Sequence, residues 1–196
     1  MFILGVTGGL ASGKSCLSKY LKEKYNAYIF DADTEAKKLL HTKEVKKQIL
    51  EAFPKLKSFE DNLLSQIVFK NKQSQQKLNS IIHPHVDKEI ERRILLKKDN
   101  YPFFVIDAAL IIESGSVNNF KDKGMTLLVI IADKSIRKER AVLRGNLLEE
   151  SILERMNLQL PDSAKIKYAD FIIENNSTKI ELFKEVDKMI AKISSE

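Results

Sequence analysis

Apolar positions in this chain fall into two patterns: short unbroken runs, and longer stretches where they recur every third or fourth residue. The first run, Phe2–Thr7, ends in glycines and reads as a buried strand entering a tight turn. Helical spacing follows from Ser12 to about Lys24, with Leu17, Tyr20, Leu21 and Tyr25 on related faces. A second short run, Tyr28–Phe30, is closed by Asp31-Ala32-Asp33. From there to about Lys98 the pattern is helical, in segments 33–41, 43–53, 61–70 and 73–98. Strand-sized runs return at 103–107 and 127–132, and more weakly at 171–174. Helical stretches fill 135–143, 148–158, 164–168 and 179–193.

Short strands alternating with helices predict an α/β fold, a doubly wound parallel sheet with helices on both faces. The helical stretch from about 34 to 100 interrupts the alternation and reads as an inserted subdomain. The core is then about 1–33 and 101–196. Ligands in this architecture sit beyond the carboxyl ends of the strands, where Thr7, Asp31 and Asp107 fall.

Composition changes this picture at three points. Hydrophobic residues make up 43% and charged residues 31% of the 196, enough for a real core in a single chain of this length. No apolar run is long enough to cross a bilayer, and Met1 leads straight into a strand without a signal-peptide pattern. With Cys16 as the single cysteine, a cytoplasmic protein without disulfides is expected. The net charge of +6 suits a polyphosphate ligand as well as a nucleic acid. Zinc-finger spacing, an RNP-type aromatic run and clustered basic blocks are all missing from the sequence, which argues against nucleic acid. No obligatory protein partner is evident.

The chemistry begins at Gly8-Gly9-Leu10-Ala11-Ser12-Gly13-Lys14-Ser15, a full match to the phosphate-binding loop G-x-x-x-x-G-K-[ST]. Glycines let the backbone wrap so that its N–H groups face phosphate oxygens, and the following helix adds its positive end. Lys14 would place an ammonium near the β- and γ-phosphates, and the Ser15 hydroxyl would ligate Mg²⁺. A chance match in a chain this long is on the order of one in a hundred, and the flanking strand and helix lower that further. Cys16 follows within the helix. A helix N-terminus and Lys14 would lower its pKa, but a small, partly buried helix residue is the plainer reading.

Phosphate-binding loops serve several classes. The guanine-reading and switch elements of GTPases are missing, since Asn71-Lys72-Gln73-Ser74 fails at its last position, and the scaffold is too small for a motor. A small-molecule kinase remains. One of Asp31 and Asp33 could take a proton from an acceptor hydroxyl, or either could simply cap the next helix. Arg137, Arg140 and Arg144, at i, i+3 and i+7, lie on one helix face just before Gly145-Asn146. They read as a phosphate clamp or as a solvated stripe.

The order and spacing of further landmarks resemble those of the dephospho-coenzyme A kinase family over about residues 2–190. They are the double glycine of Thr7–Ser15, Asp31-Ala32-Asp33, Val68-Phe69, His83-Pro84, the segment Asp107–Glu113, Arg140 with Arg144, Arg155-x-x-x-Gln159, and Ala169-Asp170 to Asn175-Asn176. The resemblance implies transfer of the ATP γ-phosphoryl group to the ribose 3′-hydroxyl of dephospho-coenzyme A, with a lid over about 140–160. It makes Asp33 the general base, with Lys14 and Arg140 as the other catalytic groups. It assigns ATP to Gly8, Gly9, Ala11, Ser12, Gly13, Lys14, Ser15, Cys16, Arg144 and the Asn175 region at the adenine. Substrate contacts fall to Asp33, His83, Asp107 and Leu110. Three departures stand out: Ala11 replaces a glycine and should keep φ negative, Ala109 replaces a proline, and the arginine before Val68-Phe69 is missing. His83-x-His85 lacks further metal ligands nearby in sequence and is expected at the start of a helix or packed on substrate. A nucleoside or nucleoside-monophosphate kinase, and a regulatory nucleotide-binding module without catalysis, are the alternatives.

Overall fold

A computed structural model describes residues 1–68, 72–145 and 148–195; Phe69, Asn71 and Asn146, which entered the sequence reading, lie outside the described residues. By internal contacts the chain divides into two units, 1–30 with 96–196, and 31–95, close to but not at the boundaries of 34 and 100 suggested by the pattern.

Among the described residues, five strands form one parallel sheet in the order β2-β3-β1-β4-β5, with helices on both faces. These are β1 (Phe2–Gly8), β2 (Tyr28–Asp31), β3 (Phe103–Asp107), β4 (Thr126–Ile131) and β5 (Phe171–Glu174). The central strand β1 pairs parallel with β3 on one side (Val6 opposite Asp107) and β4 on the other (Gly8 opposite Ile130). Buried on both sides, β1 and β4 show nearly continuous apolar runs, as central parallel strands must.

One face of the sheet is covered by α1 (Lys14–Tyr25) and α10 (Lys179–Ile193). Leu17 and Leu21 of α1 and Leu182, Val186 and Ile190 of α10 close a core over Leu4, Val6, Leu128 and Ile130. Asp187 clasps the two helices by accepting from Tyr20 Oη, Tyr25 Oη and Lys24 Nζ, each at 2.7 Å. Burial pushes its carboxyl up, but the three donors outweigh that and hold it below the usual range. The Tyr25 hydroxyl is pushed up to about 12, by burial first and then by Asp187. The fixed end of α1 is thus its C-terminal half, and its N-terminus is left for the loop after β1.

After β3 the chain forms a short helix, α6 (Ser116–Lys121), which the hydrophobic pattern did not predict. Six residues are too few to show a period, yet Val117 and Phe120 are buried. Beyond β4 come α7 (Lys134–Leu143), α8 (Glu149–Leu158) and α9 (Asp162–Ile166).

The second unit is helical: α2 (Ala32–Leu40), α3 (Lys43–Ala52), α4 (Asp61–Val68) and α5, which spans Lys72–Lys97 and runs into the first unit. Val45 and Ile49, Leu64 and Val68, and Ile82, Val86 and Ile90 are buried, each set at the spacing of one helix face. His85 on α5 bonds Gln48 on α3 at 3.0 Å, and Lys77 Nζ donates to the Ala52 carbonyl at the end of α3.

Candidate active site

The loop Gly8–Gly13 leaves the carboxyl end of the central strand and delivers the chain into α1. Gly13 is the N-cap, with φ 116, and a Cβ there would overlap the Asn175 amide, so this position needs glycine twice over. Asp31, Thr42 and Thr178 cap α2, α3 and α10 with side-chain oxygens, whereas α1, like α6 to α9, has no side-chain cap, and its first turn carries no acid. With no side-chain cap and no acid there, the positive end of the α1 dipole can receive an external anion. Lys14 Nζ stays over the loop, donating to Gly8 O at 3.0 Å and Gly9 O at 3.4 Å. Ser15 is exposed in the first turn, and the Cys16 N–H donates to Gly13 O at 3.1 Å.

The loop itself is a tight turn in which Ser12 N donates to Gly9 O at 3.1 Å. Ala11 is its third residue and has φ 59, so the expectation of a negative φ is wrong. The turn type demands a positive φ there, which costs an alanine about 1 kcal/mol relative to glycine. Its methyl is buried with Ala141 of α7 and Ile152 and Met156 of α8. Behind the loop, Asn175 Nδ2 donates to Ser12 O at 2.8 Å, and the side chain is buried. The Asn175 region is the one expected at the adenine, and the Asn175 amide also braces the loop backbone from behind.

The carboxyl end of β3 lies beside the loop. Asp107 accepts from Ser18 Oγ of α1 at 2.7 Å, and the carbonyl of Ala109 accepts from Thr7 Oγ1 at 3.3 Å. Leu110 follows, half-buried. Here the sequence reading missed a residue. Lys165 of α9 is 0% exposed, and its ammonium bonds Glu113 Oε1 at 2.5 Å and Ala109 O at 3.3 Å. The same Glu113 oxygen accepts from Leu160 N, just past α8, at 3.0 Å. Glu113 belongs to a segment already singled out, but nothing local marks Lys165, one lysine in a short polar helix. Lys165→Met should destabilise the protein by about 3–5 kcal/mol, because it strands a buried carboxylate. Adding Glu113→Gln should restore part of that loss, as read by denaturant unfolding.

The three arginines do not act as one stripe. Arg137 packs its guanidinium over Gly9, where a Cβ would overlap it, and reaches Asp162 at 3.4 Å with a side chain only 13% exposed. Arg140 donates to Asn175 O at 2.8 Å and Ser177 O at 3.4 Å, at the end of β5. Arg144 is the C-cap of α7 and exposed. A solvated stripe is thus excluded for Arg137 and Arg140, which hold different parts of the fold.

In the helical unit the cap reading resolves to one aspartate. Asp31 is the N-cap of α2, taking Thr34 N and Thr34 Oγ1 at 2.8 Å each, whereas Asp33 is the second residue of the helix and exposed. His83-Pro84 does not start a helix. It lies inside α5, where Pro84 lacks the N–H that would return to the Ser80 carbonyl.

A strand, a glycine-rich loop closed by Lys14 and Ser15, and the helix that follows it on a parallel sheet form an α/β fold of the P-loop type. A family model described as dephospho-CoA kinase matches residues 2–181, and the chain belongs to that family. The dephospho-CoA kinase of Fusobacterium nucleatum is 37% identical, with 96% of each chain covered. Among solved structures, the dephospho-CoA kinase from Campylobacter jejuni is 30% identical, covers 98% of this chain and 97% of its own, and has a TM-score of 0.66. A shikimate kinase from Acinetobacter baumannii, 13% identical, shares the fold at TM-score 0.62, covering 100% of this chain and 96% of its own.

Proposed function

We propose that this protein transfers the γ-phosphoryl group of ATP to the ribose 3′-hydroxyl of dephospho-coenzyme A, giving coenzyme A and ADP, in the cytoplasm. The observation that carries phosphoryl transfer is the glycine-rich loop at the carboxyl end of β1, with Lys14 Nζ lying over it at the start of α1; family membership carries the acceptor. The loop N–H groups and Lys14 hold the β- and γ-phosphates. Asp33, two residues past the carboxyl end of β2, takes the 3′-hydroxyl proton as the O3′–phosphorus bond forms and the bond to the β-phosphate oxygen breaks. The electron pair leaves with ADP. The family reading assigns acceptor contacts to Asp107 and Leu110 and to His83.

The donor set suits Mg²⁺. Ser15 offers a hard oxygen, and Ser18, one turn on along the same helix face, holds the Asp107 carboxylate at 2.7 Å. Bound there with ATP, the ion would neutralise charge on the β- and γ-phosphates. Among the described residues no group of three or more His, Cys, Asp or Glu is placed to hold a metal, and an ion shared with phosphates does not require such a cage.

The deciding experiment measures ADP release with dephospho-coenzyme A against a panel of nucleosides and nucleoside monophosphates. Turnover is expected with the first alone. A preference for any member of the panel overturns the acceptor, and no turnover with any overturns the enzyme. Within this reading Arg140 stabilises the transferring charge, so Arg140→Ala should lower kcat by about a hundredfold or more. The unfolding midpoint should fall only modestly, since the variant loses one short bond to a carbonyl and a second, long one. A kcat within about twofold of the parent would leave Arg140 only its contacts to the strand end.

A further inference from the structure

The outer arm of the phosphate loop is held from outside, and one of its holders has no part in the scheme above. Gly9–Ser12 is a turn whose third residue, Ala11, sits at φ 59, a conformation glycine adopts freely and alanine resists. Two contacts oppose that resistance. The Ala11 methyl is buried with Ala141, Ile152 and Met156, and the N–H of Leu10, the second residue of the turn, donates to Gln159 Oε1 at 2.8 Å. Gln159 is the C-cap residue of α8, so the bond joins the loop to a helix 149 residues further along the chain.

We infer that Gln159 is a positioning residue for nucleotide binding. By accepting the Leu10 N–H it holds the strained turn in the shape that presents the loop to phosphate, and it offsets the cost of carrying alanine at position 11. A backbone N–H left without that acceptor is free to turn, and the alanine then favours negative φ. Nucleotide affinity therefore depends on a side chain whose bond is to loop backbone. Chemistry, once ATP is seated, depends on it much less. The inference rests on the proposed ATP reading, and its sharpest consequence is that Ala11→Gly makes Gln159 partly dispensable.

Three proteins test it: the parent, Gln159→Met, which removes the acceptor at similar length, and Ala11→Gly/Gln159→Met. Readouts are the Kd for ADP at equilibrium, the KM and kcat for ATP, and hydrogen exchange of the Leu10 amide. Gln159→Met should raise Kd and KM by about three- to tenfold, the scale of one hydrogen bond, with kcat within twofold and Leu10 protection lost. Adding Ala11→Gly should recover at least half of the lost affinity. Unchanged Kd in Gln159→Met overturns the inference. So does a loss of affinity that follows the unfolding midpoint and is not recovered by glycine, since a purely structural role behaves that way. Should Gln159→Met fail to fold, Gln159→Asn withdraws the acceptor by one methylene and allows the same comparison. If the parent neither binds ADP nor turns over, the ATP reading has failed and the inference with it. Slow parental exchange at Leu10 would then show only that the bond exists.

Discussion

Lys14→Ala should remove all but a trace of phosphoryl transfer while leaving the fold in place. The transferring group spreads its charge over phosphate oxygens, and the protein's contribution is largely positioning and electrostatic stabilisation. Lys14 is the only cation the loop sequence supplies. Removing one preorganised donor from such a site costs about 10²–10³ in kcat, and losing a full charge should sit at the upper end or beyond. Stability is a separate matter, because the Lys14 contacts at 3.0 and 3.4 Å go to carbonyls of its own loop. The turn keeps Ser12 N to Gly9 O, the Asn175 amide on Ser12 O and Gln159 on Leu10 N. The expected stability loss is therefore about 1 kcal/mol. A steady-state assay beside a thermal melt checks both halves. Parental turnover in this variant would mean that the loop does not serve catalysis.

Much of this was legible in the sequence, for local reasons. Strands β1, β3, β4 and β5 are apolar runs bounded by turn residues, and the phosphate loop is a contiguous motif whose chemistry depends on its order. Helices long enough to show a period, such as α3 and α10, came within a residue or two of their ends. Short elements were harder: α6, with six residues, was not read at all, and α9, expected over 164–168, begins at Asp162. Other features arise from contacts between distant parts of the chain. Asn175 turns to Ser12 across 163 residues and Lys165 to Glu113 across 52, and no periodicity encodes either meeting. The Ala11 expectation failed for a related reason. Propensity alone assigns alanine a negative φ, and the observed value holds because Ala141, Ile152 and Met156 surround the methyl.

Asp33→Asn separates mechanism from architecture most cleanly, because it keeps shape and removes only charge. If Asp33 accepts the 3′-hydroxyl proton, kcat should fall by about 10²–10⁴-fold, the range for a positioned general base. ATP affinity should hardly move, since in the proposed scheme the phosphates are held by the loop, Lys14 and Mg²⁺. From the sequence alone, a silent substitution could have meant that Asp33 is a helix cap, where asparagine serves as well as aspartate. The structure removes that account, because Asp31 already caps α2 through both carboxylate oxygens. Asp33 is an exposed carboxylate in the first turn, where a favourable interaction with the helix dipole contributes about 0.3–1 kcal/mol. The unfolding midpoint should therefore shift only slightly, and a silent variant would now mean that the carboxylate takes no part in the reaction. Weaker ATP binding with a modest rate loss would place Asp33 beside the metal and pass the role of base to Asp31. Asp31→Asn is the companion measurement, since asparagine preserves the cap. It should keep the parental midpoint and, if Asp33 is the base, retain kcat within a few-fold, whereas a collapse of kcat in Asp31→Asn with a silent Asp33→Asn would reverse the assignment.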